Sequence, residues 1–273
     1  MGAYDQQSYG GCQDLSCFDP LITVNDRLLK LTAEVFGEQS PQVASELPAL
    51  AVLYQTQGKY DKAEDFYRQA LSLFELQHNL SDTAETLRGL AGIYHLQGRY
   101  DEAVALLEKA LGIFQSSELV VERKAEYRRT FLELARIQPE LLEEASNISE
   151  EDLSKIIEQG NTDSIVQVLY ELADVYLSQD KYPEAEAFYK RSLDLHADPL
   201  DYSMNLILLK LAWVHHAQGH RVEAEATYQQ VLKIYRESFP DGDLPDPILR
   251  VVNSIEVNLD RLQRSLPPVM EFR

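Results

Sequence analysis

Apolar residues recur along this chain at helical spacing, in paired runs separated by short polar turns. Leu47, Leu50, Ala51 and Tyr54 fall at i, i+3, i+4 and i+7, one buried face of an amphipathic helix. After a turn, Ala63, Tyr67, Ala70, Leu71 and Phe74 make a second such face. The phrase joining the two runs, Tyr54 to Glu64, returns as Tyr94 to Ala103, as Tyr176 to Glu186 and as His215 to Glu225. Leu50-Ala51, Leu90-Ala91, Leu172-Ala173 and Leu211-Ala212 mark equivalent positions, 40, 82 and 39 residues apart. The middle separation is about two periods, so a degenerate unit is expected there. Self-similarity at this period predicts an all-α solenoid. Ala51 and Ala63 are small where two helices must approach closely. Gly58, Gly98 and Gly219 fall at the turn, where a left-handed residue ends the first helix, and Asp180 in the third copy also tolerates that conformation.

Leu50, Ala51, Tyr54, Gly58, Tyr60, Ala63, Tyr67 and Ala70, recurring in register, resemble the tetratricopeptide repeat family. The period near forty exceeds the usual thirty-four or so. With the linker Phe36 to Ala44, it is most similar to the repeats of kinesin light chains and related bacterial proteins. The resemblance implies a right-handed α-solenoid of antiparallel helix pairs with an inner groove lined by first helices. Clear repeats are expected at 43–77, 83–117, 165–198 and 204–238, inside one solenoid over 21–266. Leu47, Leu87, Leu169 and Leu208 are core. The implied groove positions are Ser45, Pro48, Val52 and Gln55, then Glu85, Arg88, Gly92 and His95. Gln167, Tyr170, Asp174 and Leu177 follow, then Leu206, Leu209, Trp213 and His216. The family's carboxylate clamp of Lys, Asn and Arg is missing: Val52, Gly92, Asp174 and Trp213 take its Asn position. The paired Asn of light-chain repeats, able to hold a peptide backbone, is missing as well.

The chain has 273 residues and a net charge of −20. That acidity argues against nucleic acid and anionic membrane surfaces and permits a basic partner. No apolar run suggests a signal peptide or a membrane span, so a cytoplasmic location is expected. Cys12 and Cys17 lie outside any repeat and cannot make a disulfide framework.

Residues 1–20 read as a flexible arm. Asp26 to Phe36 reads as the second helix of a preceding, incomplete unit. The stretch 118–162 breaks the pattern. It opens on the basic run Glu122 to Arg129, continues as an apolar face from Phe131 to Ile137 and is stopped at Pro139. An acidic segment follows, in which Ser149 opens a further helix with a capping-box pattern. It is either a worn repeat with solvated charges or an insert for recognition or hinging. Residues 247–266 form a capping helix, with Ile248, Val251, Val252, Ile255, Leu259 and Leu262 apolar, and 267–273 a tail opened by Pro267-Pro268.

Little catalytic chemistry is visible. His216 and His220 have metal-ligand spacing, but Gly219 places a turn between them and no His-Glu-x-x-His pattern exists. His215 stands where other copies carry Tyr and reads as core. No phosphate loop or nucleophile elbow occurs, so neither an enzyme nor a cofactor is expected. The candidate groove contacts are Arg88, His95, Tyr170, Asp174, Leu209, Trp213 and His216. Trp213, the only Trp, is suited to gripping an apolar side chain, Asp174 to a basic residue and Arg88 to an acidic one. Three functions follow: a non-catalytic scaffold or adaptor holding a protein or peptide on its concave face, a ligand-responsive regulator of solenoid curvature, and a self-associating structural protein, such as a homodimer joined by terminal helices. The arm or the acidic insert is a candidate occupant of the groove.

Overall fold

The computed structural model describes residues 18–137, 150–195, 202–239 and 243–269. Cys12, Cys17, Pro139 and Ser149 lie outside them, as do most of the arm and the first part of the acidic segment, residues 140–149. Among the described residues the chain is helical and contains no strand. The helices are α1 (Asp19–Phe36), α2 (Pro41–Thr56), α3 (Tyr60–Leu76), α4 (Leu80–Leu96), α5 (Tyr100–Phe114) and α6 (Ser117–Ile137). They continue as α7 (Glu150–Ser178), α8 (Tyr182–Leu195), α9 (Tyr202–Ala217), α10 (Arg221–Ser238) and α11 (Asp246–Gln263). Packing divides the described residues into two compact units, one ending at Val168 and one beginning at Leu169. Both are built from antiparallel helix pairs of the solenoid type.

The turn inside each pair is one repeated device. The N–H of Lys59 donates to the carbonyl of Tyr54 (2.9 Å), Arg99 to Tyr94 (2.8 Å), Lys181 to Tyr176 (3.0 Å) and His220 to His215 (2.8 Å). This six-residue bond closes only if the preceding residue is left-handed. Gly58, Gly98 and Gly219 have φ of 71, 75 and 79°, and Asp180 adopts 58° without a glycine's freedom.

In the N-terminal unit, Val43, Ala44, Leu47, Ala70 and Phe74 form a core cluster, with Leu29, Ala33, Phe66 and Leu73 packed against it. The ring of Tyr54 stacks on Phe66 at 5.4 Å between centroids. Helix α1 starts earlier than the sequence suggests and does for α2 what α3 does for α4. Tyr54 donates its hydroxyl to Asp26 on α1 (3.3 Å), as Tyr94 does to Glu64 on α3 (3.1 Å).

The degenerate region is fastened to the second clear pair. Glu122 on α6 accepts the N–H groups of Leu80 (2.9 Å) and Ser81 (3.2 Å), capping the first turn of α4. Arg123 donates to the buried side chain of Asn161 and to Ser81 (3.3 Å). One helix joins the degenerate region to the third repeat. Helix α7 runs unbroken for 29 residues through Gly160-Asn161-Thr162-Asp163. Arg123 satisfies Asn161 from outside, while Thr162 and Ser164 turn their hydroxyls back to the carbonyls of Glu158 and Gly160 (2.9 and 3.1 Å).

In the C-terminal unit Leu208, Ala212, Ala224, Tyr228, Val231 and Ile255 belong to one buried cluster, so α11 covers the apolar face of α10. Burying that face is the task of a solenoid's terminal helix.

Candidate partner-binding faces

On the N-terminal unit the first-helix face is largely unspent. Ser45 and Val52 on α2 are exposed, and Pro48 and Gln55 are half-buried. On α4, Glu85, Arg88, Gly92 and His95 follow one another at i, i+3, i+7 and i+10, all half-buried. Arg88 donates from Nε (3.0 Å) and Nη2 (2.7 Å) to one oxygen of Glu85, so it is held in place on the helix surface. His95 lies beside Tyr100 at 5.8 Å between ring centroids. Behind this stripe the hydroxyl-bearing edge of Tyr67 packs on Gly89, and a Cβ there would stand 2.6 Å from the ring. Burial, partly offset by the Arg88 charge, pushes the Tyr67 hydroxyl up to about 12.

On the C-terminal unit the corresponding face is partly consumed. Asp174 is 8% exposed. It accepts the hydroxyl of Tyr189 and pairs with Lys210, so the basic residue expected from a partner is the chain's own. Lys210 also lies 4.7 Å from the ring centre of Tyr170, which is half-buried and tilted against Tyr189 at 6.0 Å. Burial and the Asp174 charge hold both tyrosines well above the ordinary phenol range. Leu209 is buried within the α9–α10–α11 cluster. His216 is also buried. Trp213 is half-buried and meets Tyr182 edge-on at 6.0 Å.

What covers this face is a segment that sequence reasoning passed over. After α11, Ser265 (φ 57°) turns the chain, and Leu266 donates back to Arg261 (2.8 Å). The next residues are held by their backbone. His216 Nε2 meets the carbonyl of Leu266 at 2.8 Å, and because a carbonyl only accepts, that nitrogen carries the proton. Arg261 Nε donates to Pro267 (2.6 Å). Asn258 donates to the carbonyl of Val269 (3.0 Å) and accepts its N–H (2.8 Å). Leu206, Leu209, Lys210, Trp213, Tyr228, Asn258 and Val269 line the resulting pocket. The indole N–H of Trp213 and the hydroxyl of Tyr228 are buried there with no hydrogen-bond partner among the described residues. One signal was available: Asn258 interrupts the apolar face formed by Ile255 and Leu262.

The histidines act within the packing. His215 Nε2 lies 3.4 Å from Glu186. Burial lowers the pKa of His215 against the opposing pull of Glu186, and burial likewise lowers that of His216 against its bond to Leu266. Among the described residues no three His, Cys, Asp or Glu side chains converge in a way that would hold a metal ion. No helix there is long and apolar enough to cross a membrane.

The tetratricopeptide repeat profile matches residues 22–76, 47–116 and 164–237, more than half of the sequence. The chain belongs to the tetratricopeptide repeat family. Its fold is similar to the kinesin-light-chain-type, nearly identical TPR-like repeats of a Podosopora anserina protein: TM-score 0.56, 18% identity, covering 81% of this chain and 88% of that one. A single-substitution variant of that protein matches alike, with TM-score 0.57 and 17% identity over 81% and 88% of the two chains. MamA matches with TM-score 0.50 and 14% identity over 81% and 90%. At these identities the likeness concerns the fold. No protein of curated function matches the sequence significantly.

Proposed function

We propose that this tetratricopeptide repeat protein is a non-catalytic, cytoplasmic scaffold that holds a segment of another protein against the first-helix faces of its pairs, the concave side of such solenoids. The observation that carries the reading is the α4 stripe. Glu85, Arg88, Gly92 and His95 line one face of a helix whose opposite face, with Leu87, Leu90, Ala91 and Tyr94, is spent on the core. A charged, half-exposed stripe on a rigid helix offers oriented polar contacts at small entropic cost. Arg88 and His95 are the contacts proposed on this unit, and Trp213 and Tyr170 those on the C-terminal unit. The test is affinity capture with the full chain beside an Arg88→Ala, His95→Ala variant and a Trp213→Ala, Tyr170→Ala variant. A partner kept by the wild type and lost by either variant supports the reading. A partner kept by both moves the interface elsewhere.

One observation favours self-association as a second reading. Leu21, Val24, Leu28, Leu31 and Val35 on α1 are between 47 and 72% exposed and follow at alternating steps of three and four. In register, Leu28 and Val35 stand where Phe66 and Leu73 stand on α3, and those two pack toward α2. A stripe of this period is self-complementary, so the occupant proposed is α1 of a second copy. Light scattering across a concentration series decides it: a monomer at every concentration removes the reading. A dimer abolished by Leu28→Glu supports it.

A further inference from the structure

We propose that the pocket between α9, α10 and α11 takes an extended, proline-containing segment of a partner protein by reading its main-chain carbonyls, and that Leu266-Pro267-Pro268-Val269 occupies it in cis as a competitor. This rests on the scaffold reading and gives one of its faces a ligand chemistry.

The tail is held by its backbone. Three of its carbonyls, those of Leu266, Pro267 and Val269, receive donors from His216, Arg261 and Asn258. Of its two N–H groups, that of Leu266 closes the turn onto the carbonyl of Arg261, and that of Val269 goes to the Oδ1 of Asn258. Such contacts do not depend on side-chain identity, so another chain of the same backbone shape satisfies them equally well. The shape is selected by proline. Pro267 and Pro268 have no N–H, which removes two donors from a stretch where the pocket supplies donors itself. Their fixed φ also lowers the entropy lost on binding.

The cis segment leaves the pocket incompletely used. Leu266 is 43% exposed. Trp213 and Tyr228 line the pocket, and the Trp213 Nε1–H and the Tyr228 hydroxyl have no acceptor among the described residues. A buried donor left unpaired is costly, and a segment that brings a carbonyl to either group gains what the tail forgoes. Burial holds the Tyr228 phenol well above its ordinary range, so it stays a donor. Asn258 is 3% exposed, and its amide makes a two-point contact with the backbone of Val269.

Trp213, the only Trp in the sequence, reports on the pocket directly. The probe is a capped peptide of residues 264–270, titrated into the full chain and into a full-length Pro267→Gly, Pro268→Gly, Val269→Gly variant while Trp213 fluorescence is followed. A tethered segment competes at an effective concentration on the order of millimolar, so the variant is expected to bind the peptide about tenfold more tightly than the wild type. Adding Asn258→Ala to that variant should abolish the titration. If circular dichroism shows lost helicity, Arg261→Met serves instead, with a loss of about tenfold for one hydrogen bond to a charged group. A peptide with both prolines replaced by alanine should bind more weakly. Equal affinity for wild type and tail variant, no titration of either, or indifference to Asn258→Ala and to the alanine peptide overturns the proposal. The scaffold reading fails separately: partner capture lost through Arg88→Ala, His95→Ala stands even if no peptide enters this pocket.

Discussion

The hydroxyl of Tyr94 donates to the carboxylate of Glu64, 3.1 Å away and 30 residues earlier, tying the first helix of one repeat to the second helix of the repeat before it. Arg68 (2.7 Å) and Arg99 (3.0 Å) complete the site around a carboxylate that is only 11% exposed. The register recurs. Tyr54 reaches Asp26 on α1, and His215 stands 3.4 Å from Glu186, with Lys190 at 2.5 Å on that same carboxylate. Repeat stacking is therefore polar as well as apolar. Tyr94→Phe keeps the ring and removes the donor. It should lower the unfolding free energy by about 1.5–3 kcal/mol, the value of a hydrogen bond to a charged group. Equilibrium denaturation in urea measures it, with an unchanged slope expected because the surface exposed on unfolding is the same.

Replacing that tyrosine by histidine in the fourth copy makes stacking pH-dependent. Burial depresses the pKa of His215 although Glu186 pulls it up, and Lys190 and His220 depress it further. His216 is depressed by burial, with Arg261 adding to the effect and the Leu266 carbonyl opposing it. Below about pH 6.5 the unfolded chain binds protons that the folded chain refuses, so stability falls as pH falls. The contribution is fully present above that pH and is lost through the depressed folded values. Glu186 acts in a lower window. Its burial would raise it, but Lys190 and His215 outweigh burial and lower it, so its contribution is lost only as pH falls through the carboxylate range. His215→Tyr should flatten the loss between pH 7.5 and 5.5. Urea unfolding of both chains at the two pH values checks it, and an equal pH dependence refutes it.

The helix pairs were legible because their causes are local. A left-handed residue at Asp180 follows from its place after a helical run, and the buried faces follow from spacing alone. The candidate faces were legible only where nothing distant intervenes. Arg88 and His95 sit on the surface as their register implies. Asp174 does not, because its counter-ion Lys210 is 36 residues away and satisfies it inside the fold. His216 is covered by Leu266, 50 residues away. The length of α7 was not legible either: Gly160-Asn161-Thr162-Asp163 has a loop-like composition, and the arginine that pairs with Asn161 comes from α6.

The bidentate seat of Glu122 on the first turn of α4 gives the degenerate region a structural task. A carboxylate there meets two otherwise unpaired N–H groups and the positive end of the helix dipole. Glu122→Ala should cost about 1–2 kcal/mol, in the range of a lost helix cap. Hydrogen exchange should locate the loss, with faster exchange at the amides of Leu80 and Ser81 and little change in α2. Uniform acceleration across the unit would mean that Glu122 acts through something other than this cap.

Two glycines three residues apart on α4 should respond oppositely to alanine. At Gly89 a Cβ would stand 2.6 Å from the ring of Tyr67, which is buried and has no room to retreat without opening the core. At Gly92 nothing lies within 4 Å of the same added atom. Gly89→Ala is therefore expected to destabilise by about 1–3 kcal/mol, the usual cost of overpacking. Gly92→Ala should stabilise by about 0.5–1 kcal/mol, the helix-interior advantage of alanine over glycine. Thermal unfolding of the two variants beside the wild type checks both signs. The pair also separates packing from binding. Gly92 lies on the proposed partner face, so Gly92→Ala should raise the melting temperature while weakening capture of a partner that approaches α4 closely. A stabilised variant with undiminished capture would place that partner away from Gly92, nearer the ends of the stripe at Glu85 or His95.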